Sequence, residues 1–123
     1  MRVLVADDDR VVVQLIAGIL RAKGHQVVPV FDAMQAIMFA MRAPQPDAII
    51  LDINMPGGTG LEAIKRLKSS QNTALVPVIV LSGTTDSTVA EKVKALGADE
   101  FIAKPVVPAV LLAALSRLVP QPP

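Results

Sequence analysis

Five short runs rich in β-branched and aliphatic residues recur along the chain: Arg2 to Ala6, Gln26 to Val30, Asp47 to Asp52, Val76 to Ser82 and Glu100 to Lys104. Stretches with helical spacing separate them, an alternation that predicts repeated strand–helix units. Ala48 to Leu51 and Val78 to Leu81 are continuously apolar. That is the pattern of central parallel strands covered by helices on both faces. Val12, Leu15, Ile16, Ile19 and Leu20 form one helical stripe, with Asp9 placed to cap its start and Gly24 to stop it. Met34, Met38, Met41 and Phe39 make a second helix apolar on more than one face. Thr59 and Glu62 have capping-box spacing ahead of Leu61, Ile64 and Leu67, a stripe that fades near Ser69 and Ser70. Helices over Asp86 to Leu96 and Pro108 to Leu118 complete a (βα)5 order, Pro108 being tolerated in a first turn.

Composition narrows the class. A chain of 123 residues matches one domain, with enough length for a single core. It is 52% hydrophobic with no Trp, no Tyr and three Phe, so that core is aliphatic and suits layered α/β packing. Cysteine is absent and no leader pattern is visible, which makes a cytoplasmic location the default expectation. The apolar runs are too short for a membrane span, which needs about 20 residues. A net charge of +1 without a basic stripe gives this segment little electrostatic attraction for nucleic acid. The domain is expected over residues 1–119, with Pro120-Gln121-Pro122-Pro123 a stiff tail or the start of a linker. Met1 stands one residue before the first strand, so nothing folded is expected ahead of it, while an output domain could follow.

Parallel α/β sheets bind ligands outside the carboxyl ends of their strands. Here the first strand ends in Asp7, Asp8 and Asp9, the third in Asp52, the fourth in Ser82 and the fifth in Lys104. With strands 1, 3, 4 and 5 as neighbours, these groups would share one rim. Clustered carboxylates repel by roughly 4 kcal/mol per pair at 4 Å and an effective dielectric near 20. A divalent cation relieves that cost, and an all-oxygen donor set without His or Cys suits Mg2+. Asp52 then sits as an acyl-phosphate nucleophile, with Lys104 and the Ser82 hydroxyl placed for the other phosphoryl oxygens.

The residues resemble the receiver domain of two-component response regulators. The likeness is carried by Asp7-Asp8 after Val3-Leu4-Val5, then Asp52-Ile53-Asn54-Met55-Pro56-Gly57, Leu81-Ser82-Gly83, Gly97-Ala98 and Lys104-Pro105. It implies a flavodoxin-like sheet in order 2-1-3-4-5 and Asp52 as phospho-acceptor. It also implies Mg2+ on Asp7, Asp8, Asp52 and the Asn54 main-chain carbonyl. Ser82 would be the switch hydroxyl, Phe101 the switch aromatic, Lys104 the cation facing phosphate, and Lys104-Pro105 a cis peptide. Asn54 and Thr84 would tune the lifetime of the phosphorylated form. A histidine kinase or phosphotransfer domain would be the donor, and an effector or output domain the target. The surface made by the fourth helix, the fifth strand and the last helix would change shape, and the apolar last helix could dock a partner or form a homodimer. The domain would be a signalling module, catalysing only its own phosphorylation and dephosphorylation.

Plainer readings remain beside this one. Asp9 suits a solvated helix cap, Asp52 could form a turn before Asn54, and Ser82 before Gly83 is ordinary turn chemistry. His25, between Gly24 and Gln26, reads as a surface-loop residue away from the rim. Gly57, Gly58 and Gly60 lack the spacing of a nucleotide cradle and are better explained by turn geometry. Asp7, Asp9 and Val11 fit the nucleophile motif of haloacid-dehalogenase-like phosphatases, although that reading leaves Asp52 idle. A non-phosphorylated receiver-like scaffold is the third alternative.

Overall fold

The computed structural model describes residues 1–54, 60–83 and 87–119. Ten elements alternate in chain order: β1 (Arg2–Ala6), α1 (Arg10–Ala22), β2 (Gln26–Val30), α2 (Ala33–Met41), β3 (Ala48–Asp52), α3 (Gly60–Ser69), β4 (Val78–Ser82), α4 (Ser87–Ala95), β5 (Glu100–Ala103) and α5 (Pro108–Leu118). All four strand pairings are parallel, in the order β2-β1-β3-β4-β5. The expected (βα)5 doubly wound sheet is therefore present.

Alternation along each strand divides the core in two. Val3, Val5, Ile50, Ile79 and Leu81 face Val13, Ile16 and Leu20 of α1 and Leu111, Ala114 and Leu115 of α5. Leu4, Ala6, Ile49, Leu51, Val78 and Val80 face the small and branched residues of α2, α3 and α4. Every residue of β3 and β4 is buried, so the continuous apolar runs mark strands sandwiched between helices. Each fully buried Leu or Ile contributes about 1.5–3 kcal/mol relative to exposure. The strand ends that carry the polar residues thus rise from the best-packed part of the molecule.

Local chemistry sets the boundaries. The Asp9 carboxylate accepts the Val11 N–H at 2.9 Å and caps α1. Beyond α1, Gly24 has φ +83°, which suits glycine at a helix exit. β3 starts one residue later than the pattern suggests; before it, the Asp47 carboxylate accepts the Arg2 N–H at 2.7 Å and the Asp47 N–H donates to the Arg2 carbonyl at 2.7 Å. β4 starts at Val78 rather than Val76. The Val76 carbonyl instead accepts Lys68 Nζ at 2.7 Å, within a knot where Lys68 also meets Asp99 at 3.2 Å and Asp99 accepts the Val78 N–H at 2.8 Å. The capping-box residue Thr59 and the start of the expected fourth helix at Asp86 lie outside the described residues, as does the tail from Pro120.

The free edge of β2 is chemically incomplete. Val30 accepts the Asp7 N–H and Gln26 donates to Met1, so even-numbered residues of β2 turn their main-chain groups toward β1. Pro29 consequently faces outward, where it has no N–H to offer.

Gly60 answers to close approach rather than turn geometry. Its N–H bonds the Ile53 carbonyl at 2.9 Å, and an added Cβ would fall 2.4–2.7 Å from Ile53 main-chain atoms. The start of α3 therefore presses directly on the residue after Asp52. Gly60→Ala is expected to destabilise the domain by about 2–3 kcal/mol, the range of severe overpacking. A denaturant midpoint unchanged from wild type would contradict this packing constraint.

Candidate functional site

Sheet register explains why distant residues meet at the rim. Ala6 lies opposite Leu51, so Asp7 and Asp52 occupy the next level on adjacent strands. Ser82 lies opposite Ala103, and the Lys104 N–H donates to the Ser82 carbonyl at 2.8 Å, extending the β4–β5 ladder by one rung. Carboxylate oxygens of Asp7, Asp8 and Asp52 lie within 4.8 Å of one another. Asp7 and Asp52 are buried while Asp8 is exposed, so the cluster opens to solvent on the Asp8 side.

Lys104 enters this acidic group from β5. Its Nζ stands 2.8 Å from Asp7 Oδ2 and 3.5 Å from Asp52 Oδ2. The amine therefore rests chiefly on Asp7. Asp7 Oδ1 accepts the Asp9 N–H at 2.9 Å, and Asp52 Oδ1 accepts the Asn54 N–H at 3.3 Å. No well-aligned hydrogen bond reaches Asp7 Oδ2, so the buried oxygen depends on the lysine charge alone among the described residues. Three carboxylates against one ammonium leave a negative surplus. Burial first, and then the charges of Asp7 and Asp8, raise the Asp52 pKa above the ordinary carboxylate value; the Asn54 N–H and Lys104 oppose them. Burial alone would lower the Lys104 pKa, but its contacts with Asp7 and Asp52 outweigh that and raise it.

The donor set fits a hard divalent cation. Three carboxylates are clustered, one oxygen lacks a hydrogen bond, and neither His nor Cys joins the group. Asp7, Asp8 and Asp52 are the side chains that could hold Mg2+, with the exposed Asn54 two residues after Asp52. Asp9 is not in the cluster; its carboxylate is engaged at the α1 cap.

The other expected residues are placed as follows. Ser82 is fully buried at the end of β4. Phe101 of β5 lies opposite Val80, half-buried, and packs against the core beneath α2, α3 and α4. Thr84 lies outside the described residues. The Lys104–Pro105 peptide is cis, and so is Ala43–Pro44, which no sequence signal had singled out. His25 lies in the connection between α1 and β2, away from the rim as expected, half-buried with its Nδ1 3.1 Å from the Met1 amino group.

Comparison with known proteins gives this rim a family. Residues 3–116 match the response regulator receiver domain. The chain is 38% identical over 120 residues to the sensory/regulatory protein RpfC of Xanthomonas campestris, covering 96% of this chain and 16% of that protein. It is 33% identical over 119 residues to the phosphate regulon transcriptional regulatory protein PhoB of Escherichia coli, covering 95% and 51% respectively. The chemotaxis response regulator CheY4 of Vibrio cholerae superposes with a TM-score of 0.89 at 31% identity, covering 96% of this chain and 98% of that one. The receiver domain of a Pseudomonas aeruginosa sensor histidine kinase, with magnesium coordinated in its active-site cleft, gives 0.89 at 29% identity and covers 98% of each chain. The protein belongs to the response regulator receiver domain family, a signalling class of two-component systems. It spans about half the length of PhoB and a far smaller part of RpfC.

The raised Asp52 pKa has a defined consequence for stability. The folded domain holds this proton more tightly than the unfolded chain does. Its contribution is thus fully present below the unfolded value, near about 4, and is lost as pH rises through the raised folded value. Asp52→Asn removes the penalty and should stabilise the metal-free domain at neutral pH by on the order of 1 kcal/mol, with the gap closing in acid. Thermal melts of both proteins across pH 3 to 8 with EDTA measure it, and equal melting temperatures at pH 7 would refute the charge surplus.

Proposed function

We propose that this domain is a phosphoryl-accepting switch that takes the phosphoryl group of a phospho-histidine donor onto Asp52. The observation that carries the reading is the placement of a buried carboxylate beside two further acids and one lysine at the carboxyl edge of the sheet. An Asp52 carboxylate oxygen forms the new bond to phosphorus as the donor's nitrogen–phosphorus bond breaks, and the electron pair of that bond returns to the imidazole nitrogen. Asp52 is directed into the site by the Asn54 N–H on its other oxygen. Bound Mg2+, on Asp7, Asp8, Asp52 and the Asn54 carbonyl, would neutralise the carboxylate surplus and the charge of the incoming phosphoryl oxygens.

Lys104 then changes partners. Its amine leaves Asp7 for a phosphoryl oxygen, a move supported by the 2.8 Å and 3.5 Å contacts that already place it between the two acids. A phosphoryl group adds about two negative charges and strong acceptor oxygens, and the Ser82 hydroxyl moves toward one of them. Because Ser82 and Lys104 belong to one ladder rung, the displacement is shared by the ends of β4 and β5. Phe101, half-buried below that rung, turns inward as the loop after β4 shifts, and the α4-β5-α5 surface changes for an effector or output domain. Asn54 and Thr84 would set how readily water reaches the acyl phosphate. The donor is a histidine kinase or phosphotransfer domain, and the working unit is residues 1–119. PhoB is a transcriptional regulator and RpfC a sensory protein, so the output attached to this domain defines its pathway. The dehalogenase-like reading has no support at Asp9, whose carboxylate caps a helix.

Incubation with acetyl phosphate and Mg2+ should yield one acyl phosphate, located on Asp52 by borohydride reduction and peptide mass analysis. Asp52→Asn or EDTA should reduce the yield at least tenfold. Label on Asp7 in the wild-type protein would overturn the assignment.

A further inference from the structure

Away from the carboxylate rim, a groove of about 430 Å³ runs between α1 and the β2 edge. Its walls include Val13 and Ala17 of α1 and Pro29 and Phe31 from the β2 side, and its charged lining residues are Arg10 and Arg21. Among the described residues, no acidic side chain lines it. Neither arginine enters an ion pair among the described residues. The Arg10 guanidinium lies 4.1 Å over the Phe31 ring, forming a flat cationic and aromatic platform. Gly18, in the middle of α1, forms part of the wall. An added Cβ there would meet nothing within 4 Å, so packing within the domain does not demand glycine. Glycine in a helix interior lowers stability relative to alanine, and here the missing side chain leaves the groove open.

We infer that this groove binds a small organic anion with a planar apolar body. The volume falls within the range of small-molecule sites, which favours such a ligand over a folded partner. The apolar body stacks on the Arg10–Phe31 platform and lies over Gly18, while the acid group meets the unpaired Arg21. Pro29, with no outward N–H, disfavours an extended peptide adding to the β2 edge. Binding is independent of phosphoryl transfer at Asp52.

The probe is 1-anilinonaphthalene-8-sulfonate, an aromatic sulfonate, titrated into the unphosphorylated 123-residue chain by fluorescence, with amide chemical shifts mapping the site. Saturable binding should shift amides of α1 and β2, and Arg21→Gln should weaken it about tenfold, the loss of one charge-assisted contact. Gly18→Leu should block it while keeping or raising the melting temperature, so loss of binding cannot be ascribed to unfolding. Equal affinity in Gly18→Leu and wild type would overturn the inference, as would shifts confined to α5. So would a groove that binds an acidic peptide and not the sulfonate. Acyl phosphate formation on Asp52 in Gly18→Leu should match wild type, which separates this result from the proposal for the rim.

Discussion

The structure turns on an unequal charge account at one edge of the sheet: Asp7, Asp8 and Asp52 against Lys104. Neither burial nor hydrogen bonding resolves it, because a buried oxygen, Asp7 Oδ2, has only the lysine amine to answer it among the described residues. Such an arrangement is tolerable only on a scaffold that holds the charges in place. The fully buried β3 and β4, with helices on both faces, supply that scaffold. Gly60 adds a second restraint by bringing the start of α3 against Ile53, directly after the buried acid.

The same imbalance explains why a cation and a phosphoryl group belong together in the proposed chemistry. Positive charge brought to the acids would relieve their repulsion, and a phosphoryl group would then restore an anionic partner for Lys104. The lysine would be the common element of the two proposed states. Its hydrogen-bonded position beside Ser82 couples whatever it does to the β4 end, so a local electrostatic event has a mechanical path through main-chain contacts. The family assignment gives this path its setting in two-component signalling.

Much of the fold, and the meeting of acids at one rim, is legible in the sequence. Continuous apolar strands identified the sheet interior, and acids at strand exits identified the rim, because strand polarity and burial leave a direct trace in residue type. The stripe from Val12 to Leu20 and the Asp9 cap correspond to α1. Side chains that act at a distance in sequence were not legible. The knot of Lys68, Asp99 and the Val76 carbonyl joins three separate segments, none of which carries a local motif, and it moves the start of β4. Gly60 read as a turn residue because closeness to Ile53 exists only after folding. The resting choice of Lys104 between Asp7 and Asp52 likewise depends on tenths of an ångström that no spacing rule carries.

Pro29 bears on how the outer margin of the sheet meets other protein strands. Relatives such as RpfC carry a matching segment as 16% of their length, where tethering can raise the local concentration of neighbouring modules. A sheet margin with a complete row of donors and acceptors would invite neighbours to zip together. One missing donor near the end of β2 interrupts that row at no cost to the interior. Restraint at this margin therefore has a stereochemical root: the ring closed on the nitrogen of Pro29.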